Sequence, residues 1–599
     1  MNTFRDMPTI FFILMRRLRM PLIVLIVIYS VSVLGFVVIP GQDDQGNVWH
    51  MSFLHAFYFV SYMGSTIGFG EIPYAFTDAQ RMWTIFTIYA CVIGWLYSIG
   101  SLLAVFQDPA FAKLRREYLF LRQVHGVRSP FYLICGFGET GSTLVNALSR
   151  VGIKSIVIDP NETSIHELEL GSYSHRPLGI VADASLPRVL QGAGVQKANC
   201  LGTVALTDSD QVNLLIALGA FTLNPDLRLF ARAESVHAQK NICSFGNNTV
   251  VNPFETFADQ LYRILNRPSH YILSEWMSSA PQEHMVNVLK DWRFPRKGRW
   301  VLAGFGRFGQ AIYDCLQKSG IEVCVIELAA NSKDLPENHV IGHGTEADTL
   351  MEAGIDMSVG VIAGTDDDAT NLSILLTARD KNPSLFLVAR QNQRENELIF
   401  NKSKFNLVMR YGDVIAYRVF ALLRTPLISD FLRLSEQEGR AWANLLISRI
   451  LGVTDEVFPY LWEVHITQEI EPARYRSAPA VYQACENEQA VHLNDILRHP
   501  RQRENYLSAI PLILKRSGEA ILLPDLTMTL KSNDRLLMCA SYPVSDIMEW
   551  GLQNEAVLHY LLTGNYAYNG WFWRWFNERT HKKRLPSQTS ALEQEQPSD

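Results

Sequence analysis

Two long runs without a charge set the outline of this 599-residue chain. From Met20 to Gln42, and again from Met82 to Gln107, there is no Asp, Glu, Lys or Arg. The core of the first run, Pro21 to Pro40, matches the ~20 residues a helix needs to cross ~30 Å of hydrocarbon, and the second run exceeds that length. Each is expected to span a bilayer. No comparable run follows Asp108, so the remainder reads as water-soluble, which accounts for a mean hydropathy of only +0.03. Arg16, Arg17 and Arg19 precede the first span, and Lys113, Arg115 and Arg116 follow the second. The loop between them carries Asp43, Asp44, Glu71 and Asp78. The positive-inside rule then puts both termini in the cytoplasm of a cell (inner) membrane protein. The first run is too long for a signal-peptide core and reads as a retained span. Thr9–Met15 is too short to cross and reads as interfacial.

Between the spans, Trp49–Met63 is apolar and aromatic but too short to cross. A re-entrant helix satisfies its own backbone and fits that length. It runs into Ser65-Thr66-Ile67-Gly68-Phe69-Gly70-Glu71. Glycines at alternate positions let successive carbonyls point the same way and replace an ion's water shell. The segment Thr66–Gly70, TIGFG, resembles the potassium filter TVGYG, with Ile67 for Val, Phe69 for Tyr and Glu71 where Asp is usual. The resemblance implies K+ held at Thr66, Ile67, Gly68 and Phe69. Phe69 lacks the hydroxyl with which a tyrosine would bond behind the filter. One chain carries one such segment, so a ring of carbonyls requires four chains, a homotetramer. In the second span Gly94 and Gly100 each cost about 1 kcal/mol relative to alanine. Either is a candidate gating hinge, and either also suits close helix packing.

The soluble part is duplicated. Phe131–Cys135 is apolar and ends in Gly136-Phe137-Gly138-Glu139-Thr140-Gly141; a helical pattern and a second apolar run ending in Asp159 follow. Arg299–Ala303 repeats this with Gly304-Phe305-Gly306-Arg307-Phe308-Gly309, a helix and Glu327. Strand, glycine turn, helix, strand and acid, in that order and twice, is the dinucleotide fingerprint in its required context. Asp159 and Glu327 are placed to accept from ribose hydroxyls. No Arg directly follows either, which favours NAD(H) or another adenine nucleotide (ADP or ATP) over NADP(H). Further on, Thr207 matches Thr365, Asn213 matches Asn371, and Arg232 matches Arg390. The threonines would flank a ligand and the arginines would reach phosphate. Asp183 is placed on the adenine side of the first copy, where the second has Gly342-His343-Gly344. Arg307 favours a pyrophosphate at the second loop, whereas Glu139 would repel one at the first unless it points away.

Taken whole, residues 20–545 resemble prokaryotic two-span potassium channels with tandem RCK (regulator of potassium conductance, TrkA-N type) domains in one chain. The resemblance implies a cytoplasmic gating ring with nucleotide or divalent-cation ligands, Ca2+ among them. The expected fold is a membrane α-helical pore module, then tandem α/β Rossmann-like domains and a smaller α+β C-terminal lobe. The expected boundaries are 1–19 interfacial, 20–108 pore module, 109–129 linker helix, 130–297 first RCK domain with crossover helix, 298–435 second RCK domain, 436–565 lobe, and 566–599 aromatic segment and tail. Pro253–Trp276 reads as one helix that crosses to a partner domain. Asp366-Asp367-Asp368 and Glu352/Asp356 are the acidic clusters that suggest calcium, although no EF-hand spacing is present and helix capping explains Asp367 and Asp368 more simply.

A net charge of −6 excludes a general nucleic-acid binder. The eight cysteines form no C-x-x-C pair and read as scattered thiols, not a zinc site. The competing enzyme reading, a membrane-anchored NAD-dependent oxidoreductase, explains both fingerprints but not the TIGFG loop. It also lacks an acid/base constellation, so the chain is not read as an enzyme. A non-selective cation channel with the same ring is the third reading.

Overall fold

The computed structural model describes residues 6–246, 248–278, 294–328, 335–454, 459–469 and 476–565. The chain divides into two compact units, residues 1–126 and 127–599. The aromatic segment and tail expected at 566–599 lie outside the described residues.

In the first unit, α1 (Asp6–Val38) runs unbroken through Pro21 and contains the apolar span Leu18–Val38. Thr9–Met15, expected as a separate segment, is therefore part of that helix. A two-residue hairpin, β1 (Gly41–Gln42) with β2 (Val48–Trp49), leads to α2 (Phe53–Gly64), the short helix expected from Trp49–Met63. Ser52 caps α2 by accepting from the His55 amide. The second span is α3 (Asp78–Gln107), opened by a capping box between Thr77 and Gln80. Gly35 lets α1 and α3 meet: a Cβ there would lie 2.0 Å from the Trp83 ring, whose Nε1 donates to the Ser32 carbonyl at 3.1 Å. Ala56, Phe59, Val60 and Tyr62 of α2 are buried in one cluster with Val33, Phe36, Phe76 and Cys91. Asp108 leaves the helical region because Pro109 follows it, and α4 (Pro109–Gly126) restarts with that proline. Neither Gly94 nor Gly100 interrupts α3.

In the second unit the first Rossmann sheet contains β3 (Phe131–Cys135), β4 (Lys154–Asp159), β5 (Leu178–Val181), β6 (Cys200–Ala205), β7 (Leu229–Arg232) and β8 (Asn248–Val251). Its strands are parallel, in the order β5-β4-β3-β6-β7-β8. The helices are α5 (Glu139–Arg150), α6 (Glu162–Leu170), α7 (Pro187–Gly192), α8 (Asp210–Leu223), α9 (Val236–Cys243), α10 (Pro253–Asn266) and α11 (Pro268–Ser278). The single helix expected over Pro253–Trp276 is thus two. Pro268 removes a backbone donor and pushes Arg267 out of the α region, to φ −140° and ψ 61°.

The second Rossmann sheet repeats the first with β9 (Arg299–Ala303), β10 (Glu322–Glu327), β11 (His339–Ile341), β12 (Gly360–Ala363), β13 (Phe386–Gln391) and β14 (Leu407–Arg410), in the order β11-β10-β9-β12-β13-β14. Its helices are α12 (Arg307–Lys318), α13 (Ala347–Glu352), α14 (Asp368–Lys381), α15 (Glu397–Lys402) and α16 (Tyr411–Arg424). Every β3 residue is buried, and β9 is buried from Trp300 on, as a sheet covered on both faces demands.

The two domains exchange helices. Phe254, Phe257, Leu261, Ile264 and Leu265 of α10 are buried in the core of the second domain with Phe305, Phe308 and Ile312. In return Ile415, Ala416, Val419, Phe420 and Leu423 of α16 are buried in the core of the first domain with Leu144, Val145 and Leu148 of α5. A fully buried Leu or Phe side chain is worth about 1.5–3 kcal/mol, so each exchanged helix contributes a substantial part of its host's core. The crossing expected for Pro253–Trp276 therefore occurs within one chain.

Beyond α17 (Leu427–Ser435) and α18 (Arg440–Thr454) lies the C-terminal lobe. It contains β15 (Tyr460–His465), β16 (Arg476–Ser477), α19 (Pro479–Glu486), α20 (Leu493–Ile496), β17 (Arg498–His499), β18 (Gln502–Tyr506), β19 (Ala509–Arg516), β20 (Glu519–Leu522), β21 (Arg535–Ala540), α21 (Tyr542–Gln553) and α22 (Glu555–Thr563). Its main sheet runs β16-β15-β21-β19-β20.

Candidate functional site

Two sites emerge, one in each unit. In the first, α2 ends at Gly64 and the chain turns into Thr66–Gly70. Gly68 and Gly70 have φ of +67° and +94°, the left-handed region that glycine enters without steric penalty, and Thr66 shares it at +63°. The Ile67 amide donates to the Tyr62 carbonyl at 2.9 Å, and Ser65 Oγ donates to the same oxygen at 3.1 Å, tying the loop to the end of α2. The Tyr62 hydroxyl donates to the Gly70 carbonyl. Glu71 is not free: it accepts from Arg81 Nε at 2.9 Å and from the Phe76 amide at 2.8 Å. The bond from Arg81 holds its carboxyl below the usual range. In α3, a Cβ on Gly94 would meet Ile28 Cδ1 at 2.6 Å, whereas Gly100 has nothing within 4 Å. Gly94 thus occupies a packing position, and Gly100 has room around it.

The second site is a cavity of about 1670 Å³ at the carboxyl ends of both Rossmann sheets. Of the nucleotide residues expected from sequence, Gly136, Gly138, Asp159, Asp183, Thr207, Arg232, Gly304, Gly306, Arg307, Glu327, Thr365 and Arg390 line it. Gly141 and Gly309 do not; they let helix meet loop, since a Cβ would fall 2.1 and 2.0 Å from the Gly136 and Gly304 carbonyls. A Cβ on Gly138 or Gly306 meets nothing within 4 Å, and no side chain caps the helix that each begins. That leaves two open helix N-termini, the geometry that receives a pyrophosphate.

The duplication holds to the atom. Asp159 accepts from the Phe137 amide at 2.6 Å and Glu327 from the Phe305 amide at 2.6 Å, so each acid also fixes its own glycine turn. The Thr207 hydroxyl donates to Asn213 at 2.7 Å, and the Thr365 hydroxyl to Asn371 at 2.7 Å. Each asparagine in turn donates to the carbonyl of Arg232 or Arg390.

The copies differ in charge. Arg232 is buried and paired with Asp208 at 2.6 Å and with Glu234. Arg390 donates to the Gly364 carbonyl at 3.3 Å and lies over the Phe308 ring, 5.0 Å from its centroid. The first residue of each glycine-loop helix reaches the opposite domain. Arg307 pairs with Glu234 at 2.6 Å and lies over the Phe254 ring at 5.4 Å. Glu139 accepts a hydrogen bond from the Arg394 backbone; burial raises its pKa, and that bond offsets only part of the rise. Glu139 therefore turns toward the second domain. Burial would likewise raise Asp210, but donors on Glu234 and Ser235 and the Arg307 charge outweigh it and hold the carboxyl below its usual value.

Two of the three acids in the run, Asp367 and Asp368, are committed to protein donors, and Asp366 lines the cavity. Asp367 accepts from the Thr370 amide at 2.7 Å, and Asp368 accepts from Asn392, Gln393 and Asn396. Among the described residues no three or more His, Cys, Asp or Glu side chains gather as a metal site. Sequence reasoning missed Glu234, Phe254, Tyr62 and the Glu71–Arg81 pair. Glu234 alone left a trace, two residues past Arg232, which ends β7.

The TrkA-N domain family matches residues 132–253 and 300–410, and the Ion channel family matches residues 22–108. The chain is a potassium-channel-like protein with two TrkA-N domains. Two of its described helices are long and apolar enough to cross a membrane, which together with the family matches supports a multi-pass inner-membrane protein with the TrkA-N domains outside the bilayer. It is 28% identical over 227 residues to an uncharacterized protein of Methanothermus fervidus, covering 38% of this chain and 35% of that one. It is 25% identical over 255 residues to potassium channel protein 1 of Methanocaldococcus jannaschii, covering 42% of this chain and 71% of that one. The chain thus spans about a third of the length of the first relative and under three quarters of the second. A structure of the GsuK channel bound to NAD aligns with a TM-score of 0.42 at 16% identity, over 91% of this chain and 99% of that one.

Proposed function

We propose that the chain is one subunit of a homotetrameric, ligand-gated potassium channel in which a nucleotide, NAD(H) or an adenine nucleotide, acts on the TrkA-N pair. The reading is one of transport, with no catalytic step. The observation that carries it is the TIGFG loop, held between two spans with Gly68 and Gly70 both left-handed. That backbone is the one a carbonyl filter needs, and four copies around an axis would complete the ring. Gly100, unobstructed within the helix, is the hinge we favour.

The cleft suggests how ligand reaches the gate. Arg307 opens α12, where a cation opposes the helix dipole by about 0.3–1 kcal/mol, and it is neutralised by Glu234 of the other domain. A pyrophosphate at the α12 N-terminus competes with Glu234 for that guanidinium. Binding thereby trades an interdomain ion pair for a ligand contact and shifts the population of cleft shapes. Glu234→Gln removes the competitor. It is expected to lower the half-maximal nucleotide concentration about tenfold, the worth of a partly screened charged hydrogen bond. Titration of channel activity in the variant checks this.

The test of the whole reading is ion flux from liposomes holding the pure protein, in K+ or Na+ gradients, titrated with NAD+, NADH, ADP, ATP and Ca2+. Potassium-selective flux that responds to a nucleotide is expected. Liposomes that stay tight to both cations at every ligand concentration would end the proposal.

A further inference from the structure

Position 69 of the filter segment carries no hydroxyl, because Phe69 stands where a hydroxyl-bearing ring would be. The structure puts a hydroxyl behind it from another element. Tyr62 lies in the last turn of α2, is 5% exposed, and donates to the carbonyl of Gly70, eight residues on. That carbonyl therefore faces the short helix of its own chain.

The ring of Tyr62 is fixed on several sides. It meets Phe69 edge-on at 5.5 Å, Phe59 at 5.2 Å and Tyr58 at 5.5 Å. The Tyr62 backbone carbonyl takes the Ile67 amide and Ser65 Oγ. One residue thus grips the loop at its start, through its carbonyl, and at its end, through its hydroxyl. Gly70 itself is left-handed, and among the described residues nothing lies within 4 Å of where its Cβ would be.

We infer that Tyr62 is a positioning residue for ion selection: its hydroxyl fixes the Gly70 peptide and so sets the spacing of the carbonyls of Thr66, Ile67, Gly68 and Phe69. This rests on the filter reading above. It makes a hydroxyl on the pore helix do for this chain what a ring hydroxyl on the filter would otherwise do.

The experiment compares reconstituted wild-type protein with Tyr62→Phe, which keeps the ring and removes only the donor, and with 4-aminophenylalanine at position 62, which restores a donor. Bi-ionic potentials give the K+ to Na+ permeability ratio, and gel filtration gives the assembly state. In assembled Tyr62→Phe the ratio is expected to fall about tenfold, the change that the net worth of one hydrogen bond can supply. It is expected to recover in the amino variant. An unchanged ratio in Tyr62→Phe overturns the inference while leaving the channel reading intact, and so does a fall that the amino variant does not reverse. Wild-type protein that passes no K+ removes the channel reading, and this inference with it.

Discussion

Potassium flux through the reconstituted protein is expected to drop to background in Gly68→Ala. Gly68 sits at φ +67°, and an L side chain there costs about 1–2 kcal/mol. Each of four subunits in a ring would carry that cost at the same height. The chain escapes it by rotating the peptide, which turns a carbonyl away from the ion and leaves a gap in the water-replacing shell. Among the described residues of one subunit nothing lies within 4 Å of a Cβ at this position, so the substitution acts there on backbone direction. Assembly is accordingly expected to survive, as gel filtration of detergent-solubilised protein would report. Rubidium uptake at the wild-type level with unchanged selectivity would remove the filter assignment.

Gly306→Asp is expected to abolish the nucleotide response while leaving selectivity alone. Gly306 is the cap residue of α12, with open space where a side chain would go and no side chain bonded to the first amides. A carboxylate there occupies the position of a bound phosphate, repels it, and satisfies the helix N-terminus itself. Apparent affinity at this loop should fall about 100-fold or more, since both attraction and access are lost. Direct nucleotide binding to the full-length protein separates this from a gating defect. Retained binding at wild-type affinity would move the ligand to the first loop, where Gly138 is similarly open.

What the sequence made legible, and what it did not, follows from the range of each interaction. Charge-free runs, glycine spacing and the acid ending the second strand are local signals, and each maps onto an element of the structure. The 158-residue offset that pairs Thr207 with Thr365 likewise reports identical hydrogen bonds to Asn213 and Asn371. The partners of Arg307 and Glu139 were not legible. Both residues reach across the cleft, to Glu234 and Arg394, and no spacing along the chain encodes a contact between domains. Tyr62 was hidden for another reason: in an apolar helix its ring reads as packing, and only the fold shows that its hydroxyl meets a backbone carbonyl. Pro268 is visible in the sequence, and it splits the crossover helix although the pattern on either side is apolar.

The exchange of α10 and α16 has a consequence for how the polypeptide is made. The face of α5 that α16 covers is complete in sequence at Arg150, but its cover ends at Arg424. About 270 residues must leave the ribosome in between, which at ~5–20 residues per second takes tens of seconds. During that interval Leu144, Val145 and Leu148 stay wet, and the nascent first half is a client for whatever protects greasy surface during translation.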